Sequence, residues 1–372
     1  MSHPIPAEPT GVLRPHAETA FAAELAALLA SDGAPRPPAW RLSPRAVRTY
    51  LLGGILPDGT VITPKYIGQA RLIEMAIATL ATDRALLLVG VPGTAKSWVA
   101  EHLAAAITGD STLLVQGTAG TDEAALRYGW NYARLLAEGP SPAAMVPSPV
   151  MIAMQTGRLV RIEELTRLPG EVQDSLITIL SEKVMPVPEL ASEVQARPGF
   201  NLIATANLGD RGTNELSAAL QRRFNTVALP VPASLEEEVE IVERRVAELG
   251  AALSLPARVP PAEAIARVVT MFRELRSGKT LDGRMKVKVP SGTLSTAEAV
   301  AVLGQGLASA SYFGDLEVRD KDLAEGLAGA IIKDPGPDRD VLAEYLKTIA
   351  NGRPGWGELV AACLDVIGGE RA

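Results

Sequence analysis

The apolar run 85–89 leads into Gly90, Val91, Pro92, Gly93, Thr94, Ala95, Lys96 and Ser97, and a helical pattern begins at Trp98. A strand that passes through a glycine-bearing loop into a helix constrains the fold more than any other part of this chain. The helix must cross back over the sheet, so the next strand added there is parallel. The loop also fixes a chemistry. Its backbone N–H groups can curl around phosphates, and the start of the helix adds its positive end. Lys96 is placed to reach the β- and γ-phosphates of ATP, and the Ser97 hydroxyl to hold Mg²⁺. The pattern G-x-x-x-x-G-K-[ST] fails at one position, where Ala95 replaces the last glycine. Alanine is costly at positive φ, so this residue is expected to be helical. The alternative is an ordinary strand–helix turn with a chance Lys-Ser. The strand before it and the helix 98–106 after it weigh against that.

A chain of 372 residues has room for two or three domains, and 47% apolar residues exclude a disordered chain. With 36 basic against 43 acidic residues the net charge is −7, which argues against a protein that tracks nucleic-acid phosphates. The single Cys363 lies in the apolar stretch 359–367, so a buried role is expected and an internal disulfide is excluded. His3, His16 and His102 stand at no zinc-binding spacing with it. No apolar run reaches membrane-spanning length, and residues 1–10 lack the basic-then-apolar order of a signal peptide. A cytoplasmic protein without a membrane partner is expected.

The first forty residues are rich in Pro and Ala around a helical patch at 18–29, which reads as a flexible or partner-dependent arm. A short helix at 43–52 follows. From Tyr66 to about Pro230 strands and helices alternate. The strands 85–89, 113–116, 159–162, 200–206 and 226–229 predict an α/β domain on a five-stranded parallel sheet. After Pro230 the strand pattern stops. Ser234 and Glu237 form a capping box for a helix to about residue 249, and helical patterns follow at 261–275, 295–312, 321–332 and 338–349. The expected divisions are an N-terminal arm with short helices at 1–59, the α/β domain at 60–232, a helical domain at 233–333 and a helical extension at 334–372.

The segment Gly157-Arg-Leu-Val-Arg-Ile-Glu-Glu-Leu165 is a strand ending in two acids. Glu163 stands at the metal-side position and Glu164 where a carboxylate can activate the attacking water. Aspartate is usual at the first place. The extra methylene of Glu163 implies metal contact that is weaker or runs through water. Arg161 inside the strand is also unusual. Ordinary surface charge at a strand end is the alternative. Asn207 ends the next buried strand and can orient a water between Glu164 and the γ-phosphate, or it can be a turn residue. Arg222 and Arg223 close a helix before the last strand. One of them can complete a neighbouring subunit's site, or both can simply complement the helix dipole.

These four elements, in this order, resemble the AAA+ ATPase core, and within it the MoxR family. Gly-x-Pro-Gly-x-Ala-Lys-Ser, with Ala95, is similar to that family's phosphate loop. Tyr66-Ile67-Gly68-Gln69 resembles its Gly-Gln motif near the adenine. The stretch Glu163-Glu-Leu-Thr-Arg-Leu-Pro-Gly-Glu-Val-Gln173 resembles its Asp-Glu-Ile-Asn-Arg-Ala-Pro-Pro-x-x-Gln stretch. The resemblance covers about residues 60–330. It implies a P-loop AAA+ core, a helical lid and a homo-hexameric ring with ATP sites between subunits. It also implies Glu164 as the catalytic acid, Asn207 as the first sensor and Arg223 as an arginine finger acting in trans. Two departures stand out. Glu163 replaces the metal-side aspartate, and Ala297 takes the second-sensor arginine position in Thr293-Leu-Ser-Thr-Ala-Glu298, with Arg284, Lys286 and Lys288 nearby in what reads more readily as a solvated loop. Two extra hairpins, within 116–148 and 183–198, are expected to contact clients or to be rigid surface loops. Tyr128, Trp130 and Tyr132 favour the former. The resemblance implies a MoxR-type ATPase that remodels or activates a partner protein, with a von Willebrand factor A domain protein as that partner. The competing readings are a slow-hydrolysing, nucleotide-gated assembly scaffold and, against the charge balance, a nucleic-acid-linked AAA+ motor.

Overall fold

A computed structural model describes residues 14–207 and 214–369. The expectations placed on residues 1–10 lie outside that range. In chain order, α1 (Ala17–Ala20), α2 (Ala22–Ser31) and α3 (Pro44–Leu52) precede a short hairpin, β1 (Gly54–Ile55) with β2 (Val61–Ile62), and α4 (Ala70–Leu80). Then come β3 (Ala85–Gly90), α5 (Lys96–Thr108), β4 (Leu114–Gln116), β5 (Tyr128–Trp130), α6 (Tyr132–Glu138), β6 (Met145–Pro147), α7 (Pro149–Thr156) and β7 (Leu159–Glu163). They are followed by α8 (Gly170–Glu182), β8 (Val184–Val187), β9 (Ser192–Gln195), β10 (Asn201–Asn207), α9 (Ala218–Gln221) and β11 (Phe224–Ala228). Six helices complete the described chain: α10 (Leu235–Ala252), α11 (Ala262–Ser277), α12 (Thr296–Tyr312), α13 (Asp320–Ile331), α14 (Pro337–Thr348) and α15 (Gly357–Gly369). The chain divides into two compact units, one of residues 14–91 with 95–231 and one of residues 92–94 with 232–369.

All five expected strands form one sheet in the order β11-β3-β10-β7-β4, and each neighbouring pair in it is parallel. Because both faces are covered, the strands read as continuous apolar runs, yet alternate residues still serve different faces. Leu86 and Leu88 pack toward α3, α4 and α5, whereas Ala85, Leu87 and Val89 pack toward α7 and α8. Parallel register brings the strand ends level, with Asn207 opposite Gly90 and Gln116 opposite Glu163. The carboxyl ends of β3, β10 and β7 therefore line one edge of the sheet, where open α/β sheets place their ligands.

From Arg14 onward the segment expected as a flexible arm is folded. The reason lies in α5. Between Val99 and Ile107 every residue of that helix is buried, so it needs cover on the side away from the sheet as well. Residues 14–52 supply it: Glu101 accepts from Ala17 N (3.2 Å) and Arg14 Nη2 (3.1 Å), and Tyr50 Oη lies 2.9 Å from His102 Nδ1. Leu25, Leu28, Trp40, Leu42, Val47 and Tyr50 share one core with α5. Lys65 closes this layer, donating to Glu24 Oε2 at 2.6 Å with its ammonium 4.2 Å from the Phe21 ring.

The helical unit packs α10–α15 around a core that includes Phe272, Leu303, Leu327, Tyr345 and Cys363, so the cysteine is buried as expected. Three buried carboxylates pin it. Glu238 accepts from Arg273 Nη1 (2.7 Å), Arg276 Nη2 (3.0 Å) and Thr296 Oγ1 (2.7 Å). Glu274 accepts from Tyr345 Oη, Arg353 Nη2 and Leu281 N, and Asp338 from Ser291, Lys333 and Asp334. Burial pushes the Asp338 pKa up, but these N–H donors and the Ser291 hydroxyl outweigh it and bring it down to about 2. The expected capping box at the start of α10 is shifted by one residue. Ser234 Oγ accepts from Glu237 N, but the Glu237 carboxylate accepts from Ala233 N.

Candidate nucleotide site

The phosphate loop leaves β3 at Gly90 and enters α5 at Lys96. Ala95, expected at negative φ, has φ +63° and ψ +22°, the left-handed conformation, and it stands as the N-cap of α5. Two residues before it, Gly93 has φ +82°. The loop thus keeps the backbone that a glycine would take, at a cost to alanine of about 1–2 kcal/mol. Ala95 is exposed, so its methyl group meets no steric obstacle there.

Lys96 Nζ donates to the carbonyls of Val91 (2.9 Å) and Gly90 (3.1 Å). Burial lowers the Lys96 pKa below the ordinary lysine value, while Glu164 and Glu163 pull it up. Ser97 Oγ donates to Glu163 Oε2 at 2.5 Å. The glutamate therefore reaches the hydroxyl that an aspartate is expected to reach. Thr205 Oγ1 donates to the same oxygen at 2.6 Å and accepts from Glu164 N at 3.1 Å. Arg161 Nη1 donates to Glu163 Oε1 at 3.2 Å, while its Nε and Nη2 hold the Ser111 carbonyl.

Glu164 has φ +56°, the second left-handed non-glycine residue of this site. Its Oε1 accepts from Asn207 Nδ2 at 2.7 Å, and its Oε2 lies 3.5 Å from Arg167 Nε. The turn is locked from outside. Gly117 N donates to Glu163 O at 2.7 Å, and a Cβ on Gly117 would stand 2.4 Å from Glu164 O. Strained backbone at both a phosphate-loop residue and an acid is a pattern that clusters at functional sites.

The structure thus brings Lys96, Ser97, Glu163, Glu164 and Asn207 together at the ends of β3, β7 and β10. Thr205 and Arg161 join them. Both lie two residues before a predicted site residue on the same strand, and period-two alternation puts such pairs on one face. Trp98 points elsewhere. Its indole Nε1 donates to Lys65 O at 2.8 Å and its ring packs 4.2 Å from His102. Ile67 is half-buried, and Gly68, at φ +144°, leads into α4. A Cβ on Gly68 would stand 2.9 Å from Tyr66 Oη, so the position requires glycine.

Arg223 donates to Ser181 Oγ (2.8 Å) and Ala219 O (2.9 Å), and the Arg222 carbonyl accepts from Arg84. In the helical unit Ser295 and Glu298 form a complete capping box for α12, with Ala297 exposed in its first turn. Lys288 pairs with Glu344 and Arg284 with Asp282 on the surface. Both expected hairpins are present, as β5–β6 and β8–β9. They brace each other through Arg127 Nη2 to Pro186 O (2.6 Å) and Tyr128 Oη to Glu189 Oε2 (2.7 Å). Of their three aromatic side chains, Tyr128 is buried and Trp130 half-buried, packed edge to face, so only Tyr132 is free for contact at 73% exposure. Leu136 on α6 is the more exposed, at 88%.

Residues 85–224 match the model of the AAA domain (dynein-related subfamily), and residues 236–362 match that of the YehL-like AAA+ ATPase C-terminal domain. The YehL protein of Escherichia coli (strain K12) is 44% identical over 339 residues, covering 90% of this chain and 91% of that one. The chain belongs to the YehL-like AAA+ ATPases. A Staphylococcus haemolyticus protein is 29% identical over 151 residues, and that match covers 40% of this chain and 56% of its relative. Among solved structures, NtrX of Brucella abortus aligns at TM-score 0.49 and 15% identity over 79% of this chain, which spans 64% of that one. Membership of the AAA+ class with a MoxR-like core, expected from the phosphate loop and the acid pair, therefore holds. The YehL-like C-terminal match extends it across the helical unit. No helix among the described residues is long and apolar enough to cross a membrane.

Proposed function

We propose that this YehL-like protein hydrolyses ATP with Mg²⁺ and couples the cycle to remodelling or activating a partner protein. The observation that carries the reading is the convergence of five side chains on one edge of the sheet. Ser97 and Glu163 share a hydrogen bond, Glu164 and Asn207 share another, and Lys96 stands beside Ser97 at the start of α5, drawn electrostatically to both glutamates. Phosphoryl transfer asks a protein for positioning and charge more than for covalent chemistry, and this set offers both. Lys96 now donates to loop carbonyls, and phosphate oxygens are stronger acceptors for the same ammonium. Glu164 takes the role of orienting and deprotonating the attacking water, with Asn207 holding its carboxylate.

Mg²⁺ fits the donor set. Ser97 Oγ and Glu163 Oε2 are hard oxygen donors 2.5 Å apart, and this small cation binds through one or two protein oxygens with waters and nucleotide phosphates. Among the described residues no group of three or more His, Cys, Asp or Glu could hold a metal by itself. When bound, the ion neutralises charge on the β- and γ-phosphates.

Resemblance to the MoxR family supports three further parts of the proposal: a homo-hexameric ring, Arg223 acting on a neighbouring subunit's nucleotide, and a von Willebrand factor A domain partner. The slow scaffold reading loses ground, because Glu163 reaches Ser97 directly. The test is steady-state phosphate release by the wild type and by Glu164→Gln at several protein concentrations, with nucleotide binding measured alongside. Turnover that rises with concentration and disappears in a mutant that still binds ATP supports an ATPase assembled between subunits. Equal turnover in the two proteins removes Glu164 from its role.

A further inference from the structure

We propose that Arg161 is the positioning residue that lets a glutamate serve on the metal side of this site. The inference rests on the reading of Ser97 and Glu163 as the Mg²⁺ pair. A glutamate has one more torsion than an aspartate, and fixing it costs additional rotamer freedom. Here both carboxylate oxygens are assigned. Oε2 takes Ser97 and Thr205, and Oε1 takes Arg161. The arginine is itself immobilised, because Nε and Nη2 grip the Ser111 carbonyl at 3.2 and 2.9 Å and leave only Nη1 for the carboxylate. Both side chains are 6% exposed, so the contact is little screened by water.

The strand explains the pairing. Arg161 and Glu163 are two residues apart on β7, which points both to the same face, that of Leu159 and α5. A brace for the chain ahead of β4 would need the Ser111 carbonyl alone. The third donor, aimed along the strand at Oε1, determines which way the carboxylate plane turns and so which oxygen meets Ser97. An aspartate at residue 163 is shorter by one bond and cannot span from Ser97 to Arg161, so the long acid and the buried arginine act as one unit. Outer-shell partners of this kind typically account for 10–100-fold in metal affinity or activity.

The experiment measures binding of a fluorescent ATP analogue to the full chain, first in EDTA and then against rising Mg²⁺. It compares the wild type, Arg161→Met, Arg161→Lys, Glu163→Asp and the double variant Arg161→Met with Glu163→Asp, and records thermal unfolding for each. In EDTA the two Arg161 single variants should agree with the wild type within about twofold, since Arg161 touches no nucleotide-binding group of the loop, and each variant's Mg²⁺ response is read against its own EDTA baseline. With Mg²⁺, Arg161→Met should raise the midpoint about tenfold or more. Glu163→Asp should raise it too, and the double variant should sit near the singles rather than at their product. Arg161→Lys keeps the charge but not the fork, so it should also raise the midpoint, and it serves if the methionine variant fails to fold. A folded variant at residue 161 whose Mg²⁺ midpoint is unchanged or lower, whatever its melting temperature, overturns the proposal and leaves Arg161 a strand brace. A wild type that binds no nucleotide at any Mg²⁺ concentration overturns the reading of the site itself.

Discussion

Replacing Thr205 by valine keeps the shape of the side chain and deletes one oxygen that serves two acids. Thr205 is 1% exposed, so no solvent can take over its bonds. Two interactions are lost. The donation to Glu163 Oε2 at 2.6 Å is charge-assisted and contributes about 1.5–3 kcal/mol. The Glu164 N–H, which donates to Thr205 at 3.1 Å, is left without that acceptor, at about 1–3 kcal/mol. Glu163 retains Ser97 and Arg161, so the lower half of the summed range applies, about 2.5–4 kcal/mol. Serine keeps the hydroxyl and loses a methyl group, which costs about 1 kcal/mol.

The assay is chemical denaturation followed by tryptophan fluorescence. Of the four tryptophans, Trp40, Trp98 and Trp130 lie in the sheet unit, so the signal reports mainly on the half of the chain that holds Thr205. Valine should destabilise that transition more than serine does, by about 1.5–3 kcal/mol, the difference between the two costs above. Phosphate release should fall for valine and stay close to wild type for serine, because the N–H that holds Glu164 in its left-handed turn is the one released. If valine is no worse than serine in both measurements, Thr205 is packing only, and the account of how the two acids are held is wrong.

Two other perturbations test separate links. Ala95→Gly should leave stability unchanged or raise it by up to about 1 kcal/mol, since relief of the left-handed strain offsets the extra freedom of glycine in the unfolded chain. A loss of about 1 kcal/mol in the same denaturation assay, the ordinary cost of glycine in a helix, would mean that Ala95 is helical after all. Lys96 sets an alkaline limit. Its pKa in the free protein lies below the ordinary lysine value, and bound phosphate must raise it, so ATP affinity is fully present below the free value and declines as pH rises through it. Isothermal titration of ATP between pH 7 and 10 should show that decline beginning earlier than an ordinary lysine would allow, and proton uptake on binding should grow over the same window.

What the sequence made legible follows from which interactions are local. The five strands and the helices after Pro230 could be read because apolar periodicity and capping residues are short-range patterns. Lys96, Ser97, Glu163, Glu164 and Asn207 could be read because each closes a strand or opens a helix. Thr205 and Arg161 were harder, since their value lies in partners on other strands. Thr205 serves acids some forty residues away, and Arg161 grips Ser111 ahead of β4. The alternation of a strand could have flagged both. The conformation of Ala95 was misread because glycine preference was taken as decisive. The helix that follows and the demands of the loop outweigh about 1–2 kcal/mol of local strain.

The N-terminal segment shows the same logic at larger scale. Its own composition of Pro and Ala suggests a tether, and the helical patterns at 18–29 and 43–52 do not say what they pack against. The instruction to fold sits in α5, whose run from Val99 to Ile107 leaves no polar face to present to water. A helix that both starts at the phosphate loop and is buried all round must be sheathed, and the only strongly polar side chains in that run are used as anchors: Glu101 for Ala17 and Arg14, His102 for Tyr50. Trp98, two residues after Lys96, adds a third tie through Lys65. The layer formed by residues 14–65 is thus bonded to the first two turns of the helix that carries Lys96 and Ser97. Any displacement of that helix start must be carried by the N-terminal layer as well.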